Sequence, residues 1–269
     1  MKLLVKIAQI PRSTYYDITS KMNQPDPDRK WKRRILVIYK AHDKRYGYRQ
    51  ITDTLKAKGY VINHKKVLRL MQELGIKSQV RPKKYHSYKG KVGKTAENHL
   101  NRKFKAEKPN QKWVTDITEI KLFGEKLYLS PILDLYNGEI IAYNVGSSQV
   151  YSLVRDMLDE SLNRVSKGDE LLLHSDQGWH YQMKEYQDSL KEHNITQSMS
   201  RKGNCHDNAV MENFFGIMKS ELLYYKEFTS VEHFKKELDE YIHYYNNLRM
   251  KSRLKTSPAL YRKQLEKAA

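Results

Sequence analysis

Three acidic residues stand where a free carboxylate is ordinarily excluded. Asp116 lies in Trp113-Val114-Thr115-Asp116-Ile117-Thr118, and Asp176 follows the apolar run Leu171-Leu172-Leu173 in His174-Ser175-Asp176-Gln177-Gly178. Glu212 is flanked by Val210-Met211 and Phe214-Phe215. A buried carboxylate without a partner is costly, so each acid needs an ion pair, a capping role or a metal. Taken singly, capping or ion pairing explains each of them. As a set they fit attack on a phosphodiester, which needs charge neutralised at the phosphate, an activated oxygen nucleophile and a stabilised leaving oxygen. Two hard cations roughly 3.5 to 4 Å apart meet all three needs. Magnesium takes oxygen ligands and keeps several waters, so a few carboxylates and the substrate phosphate suffice, and manganese accepts similar ligands.

The elements that must position these acids can be read from periodicity. Strands are expected over Lys112–Ile120, Lys126–Leu135 and Glu139–Val145, joined through Phe123-Gly124 and Asn137-Gly138 as an antiparallel meander. A helix over Ser152–Val165 precedes a short buried strand at Leu171–Leu173, which delivers Asp176 at its C-terminal end. A helix over Tyr181–His193, a strand over Thr196–Ser200 and a long helix over Asn208–Tyr224 complete the order. This pattern predicts an α/β fold, a mixed sheet flanked by helices. Trp113 is expected to pack in the core beside Asp116. His174 and His180 flank Asp176 as ligands or donors, although hydrogen bonding alone is the ordinary role of such histidines.

The charge is divided unevenly. The 269 residues carry a formal net charge of +19, yet residues 1–108 alone hold 29 Lys+Arg against 8 Asp+Glu, while the remainder holds 21 against 23. A polyanionic partner is implied for the first part, nucleic acid before anionic membrane. No stretch approaches the roughly 20 apolar residues of a spanning helix, and the N-terminus shows no cleavable leader pattern, which predicts a soluble chain of the cytoplasm. The lone Cys205 can form neither an internal disulfide nor a Cys-rich zinc site.

Within the basic part, Lys32–Lys44 and Arg49–Lys58 show helical periodicity, and Asn63 caps a third helix that Gly75 closes. Val67, Leu68, Leu70 and Met71 of that third helix face inward, leaving Lys65, Lys66 and Arg69 outside for DNA. Three short helices with glycine punctuation suggest an all-α helix-turn-helix unit. A small bundle that merely holds the following domain in place is the alternative. Residues 81–108, rich in Lys and Arg with Tyr85, His86 and Tyr88, read as a basic linker, and residues 1–31, with a possible helix and turn over Ile7–Tyr16, have no assigned role. The expected divisions are 1–31, 32–80, 81–108, 109–225 for the catalytic core and 226–269 for a C-terminal helical extension.

The acidic motifs, with 35 residues between Asp176 and Glu212, together with Arg201-Lys202-Gly203-Asn204, Asp207-Asn208-Ala209-Val210-Met211-Glu212 and the ending Tyr245-Asn246-Asn247-Leu248-Arg249 with Ser257-Pro258, resemble a known family. It is that of the bacterial insertion-sequence transposases related to retroviral integrases, specifically the second-reading-frame product of insertion-sequence family three. The resemblance spans Lys32 to Tyr261. It implies a ribonuclease-H-like core preceded by a helix-turn-helix segment, with Asp116, Asp176 and Glu212 as catalytic metal ligands for two magnesium or manganese ions. It further implies hydrolysis at the element's ends, then attack of a freed 3′ hydroxyl on another strand. Lys219, seven residues after Glu212 and on nearly the same helical face, takes the family's place for a phosphate contact, with a plain surface lysine as the alternative. The implied partners are DNA, a first-reading-frame product of the same element and further copies of the chain assembled on DNA, placing it at the nucleoid when bound. The Cys pair of the zinc-binding domain in retroviral integrases is missing, so no zinc is expected. A non-catalytic DNA-binding regulator and a ribonuclease-H-like nuclease stand as the alternative functions.

Overall fold

The computed structural model describes residues 11–22, 26–80, 95–166 and 170–266. Helix α1 (Arg12–Met22) precedes a three-helix unit of α2 (Arg29–Ala41), α3 (Tyr48–Ala57) and α4 (His64–Glu73). Of the periodic apolar positions, Ile35, Ile38, Ile51, Leu55, Val67, Leu70 and Met71 form one core, whereas Leu68, expected to face inward, is 38% exposed. The Asn63 side chain accepts the Lys65 backbone N–H at 2.8 Å, and Gly75, at φ +64°, ends the segment in a conformation that costs glycine little. Of the expected linker, residues 81–94 lie outside the described residues, with Tyr85, His86 and Tyr88 among them. Residues 1–10, and with them the first four residues of the expected Ile7–Tyr16 helix and turn, lie outside them too, while the rest of that stretch enters α1. The part that follows is laid on the catalytic unit, where Leu100 is buried and donates its backbone N–H to the Ser198 hydroxyl at 3.1 Å.

The catalytic unit is a mixed sheet of β1 (Lys112–Thr115), β2 (Thr118–Leu122), β3 (Glu125–Asp134), β4 (Ile140–Gly146), β5 (Leu172–Ser175) and β6 (Thr196–Met199). Strands β2, β3 and β4 pair antiparallel, β1 pairs antiparallel with β3, and β1, β5 and β6 run parallel. The single strand expected over Lys112–Ile120 is broken at Asp116 and Ile117, for a reason that lies on the neighbouring strand. Strands β1 and β2 keep one register against β3, from Trp113↔Asp134 and Thr115↔Ile132 to Thr118↔Leu129, so Pro131 falls opposite Asp116. Proline has no N–H to give a ladder. Its carbonyl accepts the Thr115 hydroxyl at 2.9 Å instead, and the Asp116 carboxylate accepts the Ile117 N–H at 2.8 Å.

Side-chain alternation divides the core between the sheet's two faces. Trp113, Ile132 and Leu173 pack with Val154, Met157 and Leu158 of α5 (Tyr151–Leu162) and with Tyr186 and Leu190 of α6 (Lys184–Glu192). Val114, Leu129 and Leu133 pack with Met211, Phe214 and Met218 of α7 (Ala209–Met218) and with Phe234, Leu238 and Tyr245 of α8 (Val231–Asn247). A π turn, Lys219–Leu223, continues α7, and α9 (Pro258–Glu266) places Arg262 on the buried carboxylates of Asp134 and Glu139, at 2.7 Å each.

The three-helix unit docks on this frame through polar and aromatic groups. Tyr46 accepts the Met250 N–H at 2.7 Å and stacks on His42, whose Nδ1 lies 3.2 Å from the Tyr244 hydroxyl. Arg45 donates to the Glu221 carbonyl at 3.1 Å, and the Glu221 carboxylate is gripped by Arg249 at 2.7 to 3.1 Å and by the Tyr241 hydroxyl at 3.1 Å.

Candidate active site

Strands β1 and β5 are parallel neighbours with Trp113↔Leu173 and Val114↔His174 in register. Two residues further on, the same offset sets Asp116 beside Asp176 at the C-terminal ends of strands about 4.8 Å apart. Each acid is held by backbone: Asp116 by the Ile117 N–H and Asp176 by the Gly178 N–H, both at 2.8 Å. Gly178 leaves room there, because a Cβ on it would stand 2.9 Å from the Asp176 Oδ1 and press on that carboxylate. Glu212 enters from the first turn of α7, which packs across β1.

The electrostatics join the three acids. Burial first, then the charge of Asp176 and that of Glu212, push the Asp116 carboxyl well above the usual carboxylate range, against the Ile117 N–H and the Lys219 ammonium, which pull it down. Burial raises Asp176 as well, opposed by the Gly178 N–H. Beneath the pair, the buried Tyr181 phenol is pushed up by burial and by the charges of Asp176 and Asp116. Among the described residues no three His, Cys, Asp or Glu side chains are drawn together as a ready set of metal ligands. The site is therefore an adjacent aspartate pair with a third acid within electrostatic range.

Other candidates fall into place around this pair. Lys219 donates to the Thr118 hydroxyl at 2.7 Å and acts on the Asp116 charge, so it belongs to the acidic site. His174 is fully buried with Nδ1 on the Ser198 hydroxyl at 2.8 Å and Nε2 on the Ser200 hydroxyl at 3.1 Å, which occupies both ring nitrogens structurally. His180 turns Nε2 to the Gln149 carbonyl at 3.3 Å. On α4, Lys66 and Arg69 are ion-paired with Asp28 at 2.7 and 2.6 Å, and Arg69 also with Glu73. Lys65 on the same helix is exposed. Periodicity gave no sign of Asp28 as the neutralising partner, since it stands 41 residues before Arg69 in the chain.

Comparisons with known proteins agree with this architecture. The family model described as HTH-like domain matches residues 26–84, and two described as Integrase core domain match 106–205 and 212–265. The chain is 49% identical to the putative transposase InsK for insertion sequence element IS150 of Escherichia coli, over 97% of this chain and 93% of that protein. It is 30% identical to the Escherichia coli transposase InsF for insertion sequence IS3A, over 90% of this chain and 86% of that one. A chain in the structure of the simian T-cell lymphotropic virus intasome with a PP2A regulatory subunit superposes with a TM-score of 0.51 at 16% identity, over 83% of this chain and 73% of that one. That likeness concerns the fold, an integrase-like mixed sheet with helices on both faces. By sequence over nearly its whole length, the chain belongs to the family of insertion-sequence transposases, with an integrase core domain behind an HTH-like domain.

Proposed function

We propose that the chain cleaves DNA strands at the ends of an insertion sequence and joins the freed 3′ hydroxyl to a target strand, with Asp116, Asp176 and Glu212 as the acidic triad. The observation that carries this reading is the placement of Asp116 and Asp176 on adjacent parallel strands with Glu212 acting on the same charge. A donor set of carboxylate oxygens alone, in a pocket that disfavours their negative charge, fits a hard divalent cation. Magnesium or manganese, as two ions, would be held by the carboxylates of Asp116, Asp176 and Glu212. Such ions supply charge neutralisation at the phosphate and an activated oxygen nucleophile.

The chain's own groups bind and orient the DNA. Lys219, beside the acids with its ammonium on the Thr118 hydroxyl, offers that ammonium to a phosphate oxygen. Lys65 meets backbone phosphates directly, and Lys66 and Arg69 do so by exchanging Asp28 for phosphate. The first-reading-frame product and further copies of the chain complete the assembly on DNA in the cytoplasm. Product analysis with labelled element ends and magnesium tests the proposal. Joined strands are expected, nicks alone would turn the reading to a nuclease, and DNA binding without cleavage would turn it to a regulator.

A further inference from the structure

Two residues just ahead of Glu212 are fastened more firmly than a connecting turn requires. The turn Cys205–Asn208 leads into α7, and its last two residues reach in different directions. Asn208, 4% exposed, donates its side-chain amide to the Thr115 carbonyl at 3.0 Å, and Thr115 immediately precedes Asp116. Asp207, fully buried, accepts the Arg201 guanidinium at 2.8 and 2.9 Å and the Arg201 backbone N–H at 3.0 Å. It also accepts Arg102 Nε at 2.8 Å and the Asn98 amide at 2.9 Å, both from the segment that leads into the core, and Arg102 reaches on to Asn204 at 2.9 Å.

The choice of side chain at 208 has a cost that points to a purpose. Its Oδ1 is buried and takes no hydrogen bond within the protein. An acceptor left so carries a desolvation cost that an apolar residue of similar size would avoid. What asparagine offers in return is the donor on the Thr115 carbonyl. Asn208 is one helical turn, about 6 Å of rise, from Glu212. A single hydrogen bond therefore ties the strand end carrying one acid to the helix start carrying another, with no other element between them.

We propose that Asn208 and Asp207 are positioning residues that fix Glu212 relative to Asp116, Asn208 by its bond to Thr115 and Asp207 by anchoring the same turn to Asn98 and Arg102. The inference rests on the assignment of Asp116 and Glu212 above. A displacement of about 1 Å in such a set is enough to cost about a hundredfold in rate.

The test uses the full chain as Asn208→Ala, Asp207→Asn and Asp207→Glu, reading strand-transfer turnover and KM for DNA, Mn²⁺ affinity by calorimetry, and thermal melting. Asn208→Ala is expected to lower turnover and Mn²⁺ affinity about 10- to 100-fold each with KM for DNA unchanged, while the protein still melts cooperatively. Asp207→Asn should move both in the same direction, and Asp207→Glu, which keeps the charge for the two arginines, should restore part of the loss. If Asn208→Ala does not fold, Asp207→Asn carries the test. Native turnover and Mn²⁺ affinity in a folded Asn208→Ala or Asp207→Asn protein would overturn the inference, as would losses that merely follow the folded fraction. A Glu212→Gln control separates the two readings, since native joining by that variant would remove the triad itself, whatever Asn208 does.

Discussion

Asp116 and Asp176 leave adjacent parallel strands at the same level, two residues beyond the Val114↔His174 pair, and each is pinned by a backbone N–H two residues or fewer further on. Two like charges set side by side in a half-buried place are a strain on the fold when no cation is present. Replacing Asp116 with Asn should therefore raise the melting temperature of the metal-free protein while lowering strand transfer by about 10²-fold or more. A variant both less stable without metal and less active would show that the carboxylate is an ordinary structural group.

The surface on which the three-helix unit docks is braced by a buried ion pair. Glu221 is 5% and Arg249 9% exposed, and Arg45 reaches the Glu221 carbonyl from the other unit. Glu221→Gln leaves the Arg249 guanidinium buried and unpaired, a change that should cost about 3 to 5 kcal/mol in chemical denaturation. The double variant Glu221→Gln with Arg249→Met should recover much of that loss, because no uncompensated charge then remains. Equal losses in the single and double variants would contradict this account.

Asp207 gives a pH dependence of defined sign. The Arg201 guanidinium foremost, and then Arg102, hold its carboxyl well below the usual carboxylate range, against burial. A folded-state value below the unfolded value near 3.9 contributes stability that is present above that pH and lost as pH falls through the folded value. The stability difference between the native chain and Asp207→Asn should thus be largest near neutrality and shrink steadily below about pH 4. Urea melts across that range measure it, and a gap that widens on acidification would refute the pairing.

Lys251 gives a dependence of the same sign in a higher pH range. Its ammonium donates to the Gly138 carbonyl at 3.0 Å, and burial, then Arg249 and Arg253, push it down to about 7. Between that value and the unfolded one near 10.4 the unfolded chain binds the extra proton, so this group makes the fold more stable as pH rises from 7 to 10. Lys251→Met should flatten that slope in denaturation curves, and an unchanged slope would place the lysine in water.

On DNA, the basic helix α4 is partly occupied by its own protein. Asp28→Asn should release Lys66, leave Arg69 only its pair with Glu73 and strengthen DNA binding, while Lys65→Ala should weaken it and reduce the slope of log affinity against log salt by about one. Filter binding at several salt concentrations reads both, and no change in either variant would move the DNA contact off this helix.

Much of this arrangement could be read from local signals. The helices of the basic unit follow from apolar spacing, Asn63 and Gly75, and the end of β5 follows from an apolar run that stops at an acid. The break in the first strand was hidden, because it depends on Pro131 arriving opposite Asp116 from another strand. The clasp of Glu221 by Arg249, the neutralisation of α4 by Asp28 and the hold of Asn98 and Arg102 on Asp207 were hidden for the same reason. Each joins residues from separate segments whose individual surroundings look like ordinary solvated charge. His174 shows the converse: its place beside Asp176 suggested chemistry, yet Ser198 and Ser200 from the β6 region take both ring nitrogens.

The most direct measurement sets Glu212→Gln beside the native chain on the same labelled element-end DNA, following binding and joining together with magnesium. The account predicts near-native DNA affinity with joining abolished. Joining at the native rate by Glu212→Gln would contradict it.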